Sequence, residues 1–261
     1  MRSILAFLLI ACGMMPALSA AQSGLELGVA LVYGPDYSGA KKSSAMPVPL
    51  IGYENERLSI RPGSGGIKYN LVATRALQFG PQLSFRSGRD ADDGSAVERL
   101  PDIDRTTEAG VFLNSYLPLF LLFGEDASGI AGASLSHLRD TGEVHESSTT
   151  DLSFSYVVPD LGGLTLITNA SLSYGAEGFM KTYYGVTASG AAASGLRAYS
   201  PKAGLFETGL SLTGVFALSE RQSLIGVLSL SELQGEAAKS PIVRSGSKSA
   251  TSLVFGYAWS F

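Results

Sequence analysis

The sequence predicts an all-β protein, a closed antiparallel barrel of about twelve strands that crosses a membrane. Large apolar and small polar side chains alternate with a period of two, in stretches about ten residues long. The 261 residues include 31 glycines, and 45% are hydrophobic while only 16% are charged. This profile suits strands joined by many turns.

The C-terminal stretch LVFGYAWSF shows the alternation most clearly. Small residues separate its large side chains, so a strand here would carry all the large ones on one face. We expect that face to contact lipid, and it comprises Leu253, Phe255, Tyr257, Trp259 and Phe261.

The same pattern recurs along the chain and predicts the other strands. Runs of ten or so residues match a tilted strand crossing a bilayer better than the roughly five or six residues of a soluble sheet. The opposite face is mostly Ser, Thr, Gly, Asn and Gln, which suits a barrel lumen. The regular runs are 25–33, 76–86, 151–158, 163–174 and 205–218, and further candidates are 46–54, 57–72, 106–123, 129–139 and 222–232.

The N-terminus predicts a secretory signal peptide over residues 1–21, which leaves one barrel domain over 22–261. Arg2 precedes an apolar run that is too short to span a bilayer, and small residues follow it. Cys12 is either a small apolar residue of this signal or a lipoprotein processing site. Without Arg2, 18 basic residues oppose 23 acidic ones, so the mature net charge is −5 against −4 for the whole chain. No basic run follows a phosphate backbone, so nucleic-acid binding is not expected.

Aromatic residues near the predicted strand ends indicate a girdle at the bilayer interface, with ordinary core aromatics as the alternative. They are Tyr53, Tyr69, Tyr156, Tyr174, Tyr257 and Trp259.

Four stretches resemble the MipA/OmpV family of outer-membrane proteins. They are YGPDYSGAKKSSAMPVPLIGYENERLSIR (33–61), YYGVTASGAAASGLRAYSPKAG (183–204), GEAAKSPIV (235–243) and the closing GYAWSF, in the family's order. The resemblance implies a barrel surrounded by the outer-membrane lipid of a Gram-negative bacterium. In the branch that contains the MltA-interacting protein, it also implies a non-catalytic scaffold for a lytic transglycosylase and a penicillin-binding protein. Ala191, Ala192 and Ala193 depart from the charged or amide residues usual before this Ser-Gly-Leu.

The stretch from 181 to 204 is the longest without alternation, and residues 88–105 form the most charged one. We expect the former to be either a partner-contact loop or a plug in the lumen. Its candidate residues are Tyr183, Tyr184, Ser194, Arg197 and Tyr199.

Catalysis is not expected. His145 and Ser147 would share one face of a strand, yet spacing alone supplies neither an orienting group nor oxyanion donors, so a polar loop is the favoured interpretation. His137 is adjacent to Ser136 and would face away from it. No cluster has metal-ligand spacing, the acidic run at 90–93 fits a solvated loop, and the glycines at 63–66 fit a strand bend, so we expect no metal or cofactor.

Two functions remain open besides the scaffold. A barrel of roughly twelve strands has a lumen intermediate between filled small barrels and open porins, so a small-solute channel is physically feasible. An envelope-stress or adhesion protein of the outer membrane is the other alternative.

Overall fold

The computed structural model describes residues 24–61, 66–90, 95–124, 128–158 and 161–261. The predicted signal peptide, Cys12 and most of the runs at 63–66 and 90–93 lie outside these residues. The strands are β1 (Gly24–Pro35), β2 (Ser43–Glu54), β3 (Leu58–Arg61), β4 (Gly66–Tyr69), β5 (Val72–Ala73), β6 (Leu77–Arg86), β7 (Thr106–Pro118), β8 (Ile130–Asp140), β9 (Ser148–Val158), β10 (Leu164–Gly175), β11 (Gly204–Ala217), β12 (Gln222–Leu233) and β13 (Ser249–Ser260).

The strands form one antiparallel sheet that closes on itself. The first strand pairs with both β2 and the last strand, β13. At the other point of closure, β4 and β5 both pair with β6, so they occupy a single position in the wall. The thirteen segments therefore form a 12-strand closed barrel, which confirms the predicted class.

The wall strands turn mainly apolar side chains outward. On β13, the large residues of the C-terminal run lie on the outer face, and Phe255 is 63% exposed in the isolated chain. On β6, the leucine and phenylalanine side chains are likewise exposed, while the glutamine and serine side chains between them are buried. The predicted alternation is confirmed on both strands.

Midway along the barrel, the interior is polar on one side only. From β6 to β11 the inward side chains are mainly Ser, Thr, Asn and Gln, as expected. Midway along β1, β2, β12 and β13 they are mostly apolar and pack against one another, which the expectation of a polar lumen missed. The buried members of this dry half are Ala30, Val32, Val48, Ile225, Val227 and Ala258.

The two ends of the barrel differ. Both ends of the described chain and the short turns lie at one end, which we call the turn end. The other end, the loop end, carries the long connections, with a 3-10 helix (Ala96–Arg99) and helices α2 (Glu177–Tyr184), α3 (Ala188–Ser194), α4 (Gly235–Lys239) and α5 (Pro241–Ser245). At the turn end, α1 (Phe120–Phe123) follows β7. The strand expected over 106–123 therefore ends at Pro118, and its last residues are helical.

Part of the β2 edge has no paired strand among the described residues. The strand predicted over 57–72 is broken into β3, β4 and β5, and β2 pairs with β3 only at Tyr53 and Glu54. Among the described residues, no backbone hydrogen bond reaches β2 between Ser43 and Gly52 from the β3 side. We call this unpaired edge of β2 the wall notch.

Most of the expected girdle residues lie near strand ends, but Tyr257 lies within β13, opposite Val29. Tyr53, Tyr156 and Trp259 lie toward the turn end, and Tyr174 lies near the loop end. None of the described helices is both long enough and apolar enough to cross a membrane.

The division of the interior gives a testable prediction. Ala258→Asp would place a carboxylate in the dry half, where ionised groups lose their hydration without gaining a partner. Ser171→Asp would place the same group beside a cavity lined by serines. We expect the first variant to lose the heat-modifiable gel band of a folded barrel and the second to keep it. Equal folding of both variants would contradict the division.

Candidate functional site

Four short helices close the loop end of the barrel. Residues 176–203 supply α2 and α3, and residues 234–248 supply α4 and α5, and we call these two segments together the plug. Local sequence explains their bounds. Glu177 and Lys181 form an ion pair of 2.5 Å one turn apart on α2. Thr187 caps α3 by accepting a hydrogen bond of 3.0 Å from the Gly190 amide, and Gly195 ends that helix in the left-handed conformation.

Two apolar clusters join the plug to the barrel. One surrounds α2 and includes side chains from the wall strands β11 and β12. The other joins α5 to the loop after β1 and to the 3-10 helix, so loops distant in sequence share one core. The first contains Phe179, Met180, Tyr184, Phe206, Leu233, Ala237 and Val243, and the second contains Tyr37, Ala40, Val97, Leu100, Val186 and Ile242.

A buried ionic network lies beneath α2. Arg86, at the end of β6, donates to both carboxylate oxygens of Glu108 on β7, over 2.7 and 3.0 Å. His145 places its Nε2 3.0 Å from the Oε1 atom of the same carboxylate. Because the side chains of Glu108 and His145 are both 0% exposed, removal of one member would leave a buried charge or polar atom without its partner.

The plug packs directly on this network. The Arg86 guanidinium lies 4.9 Å from the Phe179 ring centroid, and the His145 ring meets the same phenyl edge-on at 5.4 Å. The Tyr183 ring also faces His145, at 6.0 Å. Within the described chain, the Tyr183 hydroxyl and the His145 Nδ1 atom have no hydrogen-bond partner. Burial raises the pKa of Tyr183 to about 12, so the phenol stays neutral.

Asp140 determines the position of His145. Its carboxylate accepts hydrogen bonds from the backbone amides of Gly142, His145 and Glu146, and from the Thr106 hydroxyl. Glu146 has a φ of 47°, in the left-handed region that side chains rarely adopt. His145 and Ser147 therefore belong to a tight turn and not to a strand, and no hydrogen bond joins their side chains in the described structure. A loop is found here, as expected, but the side chain of His145 is buried.

His137 and Ser136 lie on opposite faces of β8. The His137 Nδ1 atom is 2.9 Å from the Thr150 hydroxyl on the outer face, and Ser136 lines the interior. Among the described residues there is no group of three or more His, Cys, Asp or Glu side chains that could hold a metal ion.

The five candidate residues of the predicted loop all lie in the plug, in different surroundings. Tyr184 is buried, and its hydroxyl is 2.9 Å from the Ser38 hydroxyl. Ser194 is also buried and donates to the Gly190 carbonyl over 2.6 Å. The Tyr199 hydroxyl donates to the Glu236 carboxylate over 2.8 Å, while Tyr183 faces the network and Arg197 is exposed. Four of the five thus make contacts inside the protein.

The plug cavity, of about 220 Å³, lies below α2 between the serine-rich strands and the basic residues of β4 and β6. A second cavity of about 360 Å³ opens at the turn end beside Glu26, Arg61 and Arg221. Ile167 borders both cavities.

Sequence reasoning did not single out Arg86 and Glu108. Arg86 lies on the inward face of β6, as the alternation of the 76–86 run indicates, but its partner Glu108 lies 22 residues away. The available signal was the rarity of charge on strands otherwise built from apolar and small polar residues. A charged residue directed into a barrel is costly without a partner, so each such residue calls for one.

The chain matches the family model described as MltA-interacting protein MipA over residues 27–261. It belongs to the MipA family. It is 28% identical over 256 residues to the MltA-interacting protein of Escherichia coli (strain K12), spanning 94% of this chain and 95% of the relative. It is 26% identical over 252 residues to a protein of the same strain named "Putative outer membrane protein YiaT", spanning 93% of each.

Among solved structures, an outer membrane channel from Pseudomonas putida F1 superposes with a TM-score of 0.46 and 14% identity, over 95% of this chain and 99% of that one. The strand pairing described above defines the barrel independently of this likeness. This member of the MipA family is an outer-membrane β-barrel.

The network predicts that substitution of two different glutamates lowers the free energy of unfolding by very different amounts. Glu108→Gln leaves the Arg86 charge buried without its counterion, and we expect a loss of about 3–5 kcal/mol in unfolding free energy. Glu54→Gln removes a half-exposed ion pair with Arg61, so its loss should be about 1 kcal/mol or less. Urea unfolding in lipid vesicles, followed by the fluorescence of the single tryptophan, measures both. Equal losses would contradict the structural role assigned to Glu108.

Proposed function

We propose that this protein is a non-catalytic outer-membrane anchor that binds a lytic transglycosylase of the MltA type. A penicillin-binding protein would be the second partner of the assembly. The relative at 28% identity carries the name MltA-interacting protein, and the family model bears the same description. The structural observation that carries the proposal is the packed plug, because a barrel whose outer mouth is filled serves as a membrane anchor better than as an open pore.

The packing of the plug favours the interpretation that the plug is a permanent part of the fold. Met180 and Ala237 are completely buried between the plug and the wall. The Ser240 hydroxyl donates to the Tyr184 carbonyl over 2.7 Å, which ties the two plug segments together. Such contacts favour a constitutive closure over a loosely attached loop.

The surroundings of His145 explain it as a structural residue. In the described structure, the imidazole of His145 bonds Glu108 and lies against two aromatic rings, without a hydroxyl group within hydrogen-bonding distance. A serine hydrolase needs that hydroxyl on the base and donors for the oxyanion. The buried histidine is accounted for as a structural member of the network.

The turn end is the face that we assign to the partner. Outer-membrane barrels have short turns on the periplasmic side and longer loops outside, and murein enzymes act in the periplasm. At this end α1 exposes four consecutive large apolar residues, with exposed fractions of 51%, 61%, 58% and 73% for Phe120, Leu121, Leu122 and Phe123. Exposed apolar groups of this kind mark contact sites. The plug lies at the opposite end, so we assign the 181–204 loop to closure and not to murein enzymes.

Co-purification tests the anchor. We expect the tagged mature protein, extracted from outer membranes in mild detergent, to retain a lytic transglycosylase. The double variant Leu121→Ser/Phe123→Ser should lower recovery about tenfold, because apolar anchors dominate interface energetics.

Arg197→Ala is the matched control, since it alters an exposed residue at the loop end. Recovery should be unchanged in this variant. Failure of the unaltered protein to retain any murein enzyme would overturn the proposed anchoring function. Loss of recovery in the Arg197 variant alone would place the partner contact at the loop end, against the proposal.

A small-solute channel is the second candidate, because serines line the interior above and below Ile167. Planar-bilayer recording separates the two functions. We expect no steady conductance steps from the intact protein and clear steps when residues 177–202 are replaced by a short glycine-serine linker. Steps of equal size from both proteins would contradict closure by the plug and favour transport.

A further inference from the structure

One row of side chains crosses the inner surface of the barrel beside the plug cavity. Strand pairing aligns five residues, one from each of the neighbouring strands β7 to β11. In order they are Phe112, Ser136, Asp151, Ser173 and Glu207. Phe112 is buried, and the other four residues border the cavity. The row therefore ends, on the β11 side, in two carboxylates that flank one serine.

Glu207 is a buried carboxylate without a polar partner. It is 5% exposed, and it forms no hydrogen bond or ion pair among the described residues. Asp151 accepts a hydrogen bond of 2.6 Å from the Ser173 hydroxyl, but it too forms no salt bridge in the described part of the chain. A buried carboxylate without a counter-ion is costly while it is ionised, so it takes up either a proton or a cation. The acidic end of the row is therefore a place for a cationic group.

Lys68 borders the cavity from the opposite wall. Because β4 and β5 share one position, five strands separate β4 from β11 in each direction around the barrel: β6 to β10 on one side, and β12, β13 and β1 to β3 on the other. The Lys68 Nζ atom lies 5.1 Å from the centroid of the Phe112 ring, at the end of the row farthest from Glu207. It forms no salt bridge with any described carboxylate. An ammonium group and two carboxylates thus lie at opposite ends of the row.

Two arginines also border the cavity. Arg86 is neutralised by Glu108, as described above. Arg89 is buried, and its guanidinium donates to the backbone carbonyls of Tyr183 and Pro101 over 3.2 and 3.5 Å. Within the described chain, no carboxylate forms a salt bridge with it. The carbonyl oxygens solvate this cation without balancing its charge, so Arg89 adds to the positive charge of Lys68.

The unpaired charges of the cavity balance in number but are separated in space. Lys68 on β4 and Arg89 after β6 are positive, while Asp151 on β9 and Glu207 on β11 are negative when ionised. A solute with a single charge would be attracted by one pair and repelled by the other. A solute that carries both an ammonium and a carboxylate group complements both pairs and leaves the total charge unchanged.

We propose that the plug cavity binds a small zwitterion of the amino-acid type. Its ammonium group is held between Asp151 and Glu207, whose backbones are two strand spacings apart, about 10 Å, so that both side chains reach one cation above Ser173. Its carboxylate points toward Lys68. The Tyr183 hydroxyl, which borders the cavity without a hydrogen-bond partner in the described structure, is a further polar contact for the solute. The cavity of about 220 Å³ is smaller than the ~300–1,000 Å³ of pockets for drug-sized ligands, so it suits a compact solute.

Equilibrium dialysis tests this site. The full mature protein, folded in mild detergent, is dialysed against radiolabelled 6-aminohexanoate, which carries its ammonium and its carboxylate at the two ends of a flexible chain. We expect saturable binding. Pentylamine and hexanoate each retain one of the two charges, and each should compete about tenfold more weakly, because one side of the cavity then has no partner.

Substitutions at the two ends of the row separate the two charges. Glu207→Gln and Asp151→Asn keep the shape of each side chain and remove its charge, and each should weaken the binding of 6-aminohexanoate about tenfold. Lys68→Gln should weaken 6-aminohexanoate to a similar extent without weakening pentylamine. A residue with a merely structural role would not change the preference between these two probes.

Two matched variants and a folding assay are the controls. Glu232→Gln and Lys181→Gln change solvent-accessible side chains at the loop end and should leave binding unchanged. A heat-modifiable gel band verifies that each variant is folded. The absence of saturable binding, or equal binding by the folded Glu207 and Asp151 variants, would overturn the proposal. Pentylamine that binds the unaltered protein as tightly as 6-aminohexanoate would overturn the zwitterion and indicate a simple organic cation.

Discussion

Backbone pairing at membrane depth is the constraint on which the rest of this molecule depends. Hydrocarbon offers no partner to an N–H or C=O group, so a wall made of strands has to return to its first strand. Here β1 pairs with β2 and β13, and closure is completed where β4 and β5 meet β6. The two-residue alternation follows, because each strand then has one face toward lipid and one toward the interior. Within the described part of the chain, the wall notch is the exception, and its prolines reduce the number of donors that need a partner there.

Closure creates an interior that has to be filled, and the protein fills it in two ways. The strands around β1 and β13 meet across a dry core of small apolar residues. The strands from β6 to β11 retain hydroxyl groups and cavities, and the plug covers them. The network of Arg86, Glu108 and His145 joins these layers, since two wall strands and one loop meet beneath α2. A barrel sealed in this way presents two different faces, and the partner contact that we propose lies at the turn end.

Local patterns explain what could be predicted from the sequence. The alternation in β6 and β13 depends on adjacent residues only, so strand identity and the outward face could be read directly. The number twelve rested on the even count that barrel closure favours. Three features depend instead on which strands become neighbours. They are the break in the stretch at 57–72, the helix after Pro118 and the dry half of the lumen. The same holds for the site. Glu108 and His145 are 37 residues apart, and only the register of β7 and β8 with the Asp140 turn brings them together. The aromatic residues of the 181–204 loop were identified, but their burial in the plug depends on α4, α5 and β11.

The central claim is that a plugged barrel presents its turn end to a murein enzyme. Site-specific photo-crosslinking in living cells tests it most directly, with a photoreactive amino acid at Phe123 on the turn end or at Ala198 on the loop end. The account predicts a covalent adduct with a lytic transglycosylase from position 123 and none from position 198. An adduct from position 198, or no adduct from either position in cells that contain the folded barrel, would contradict it.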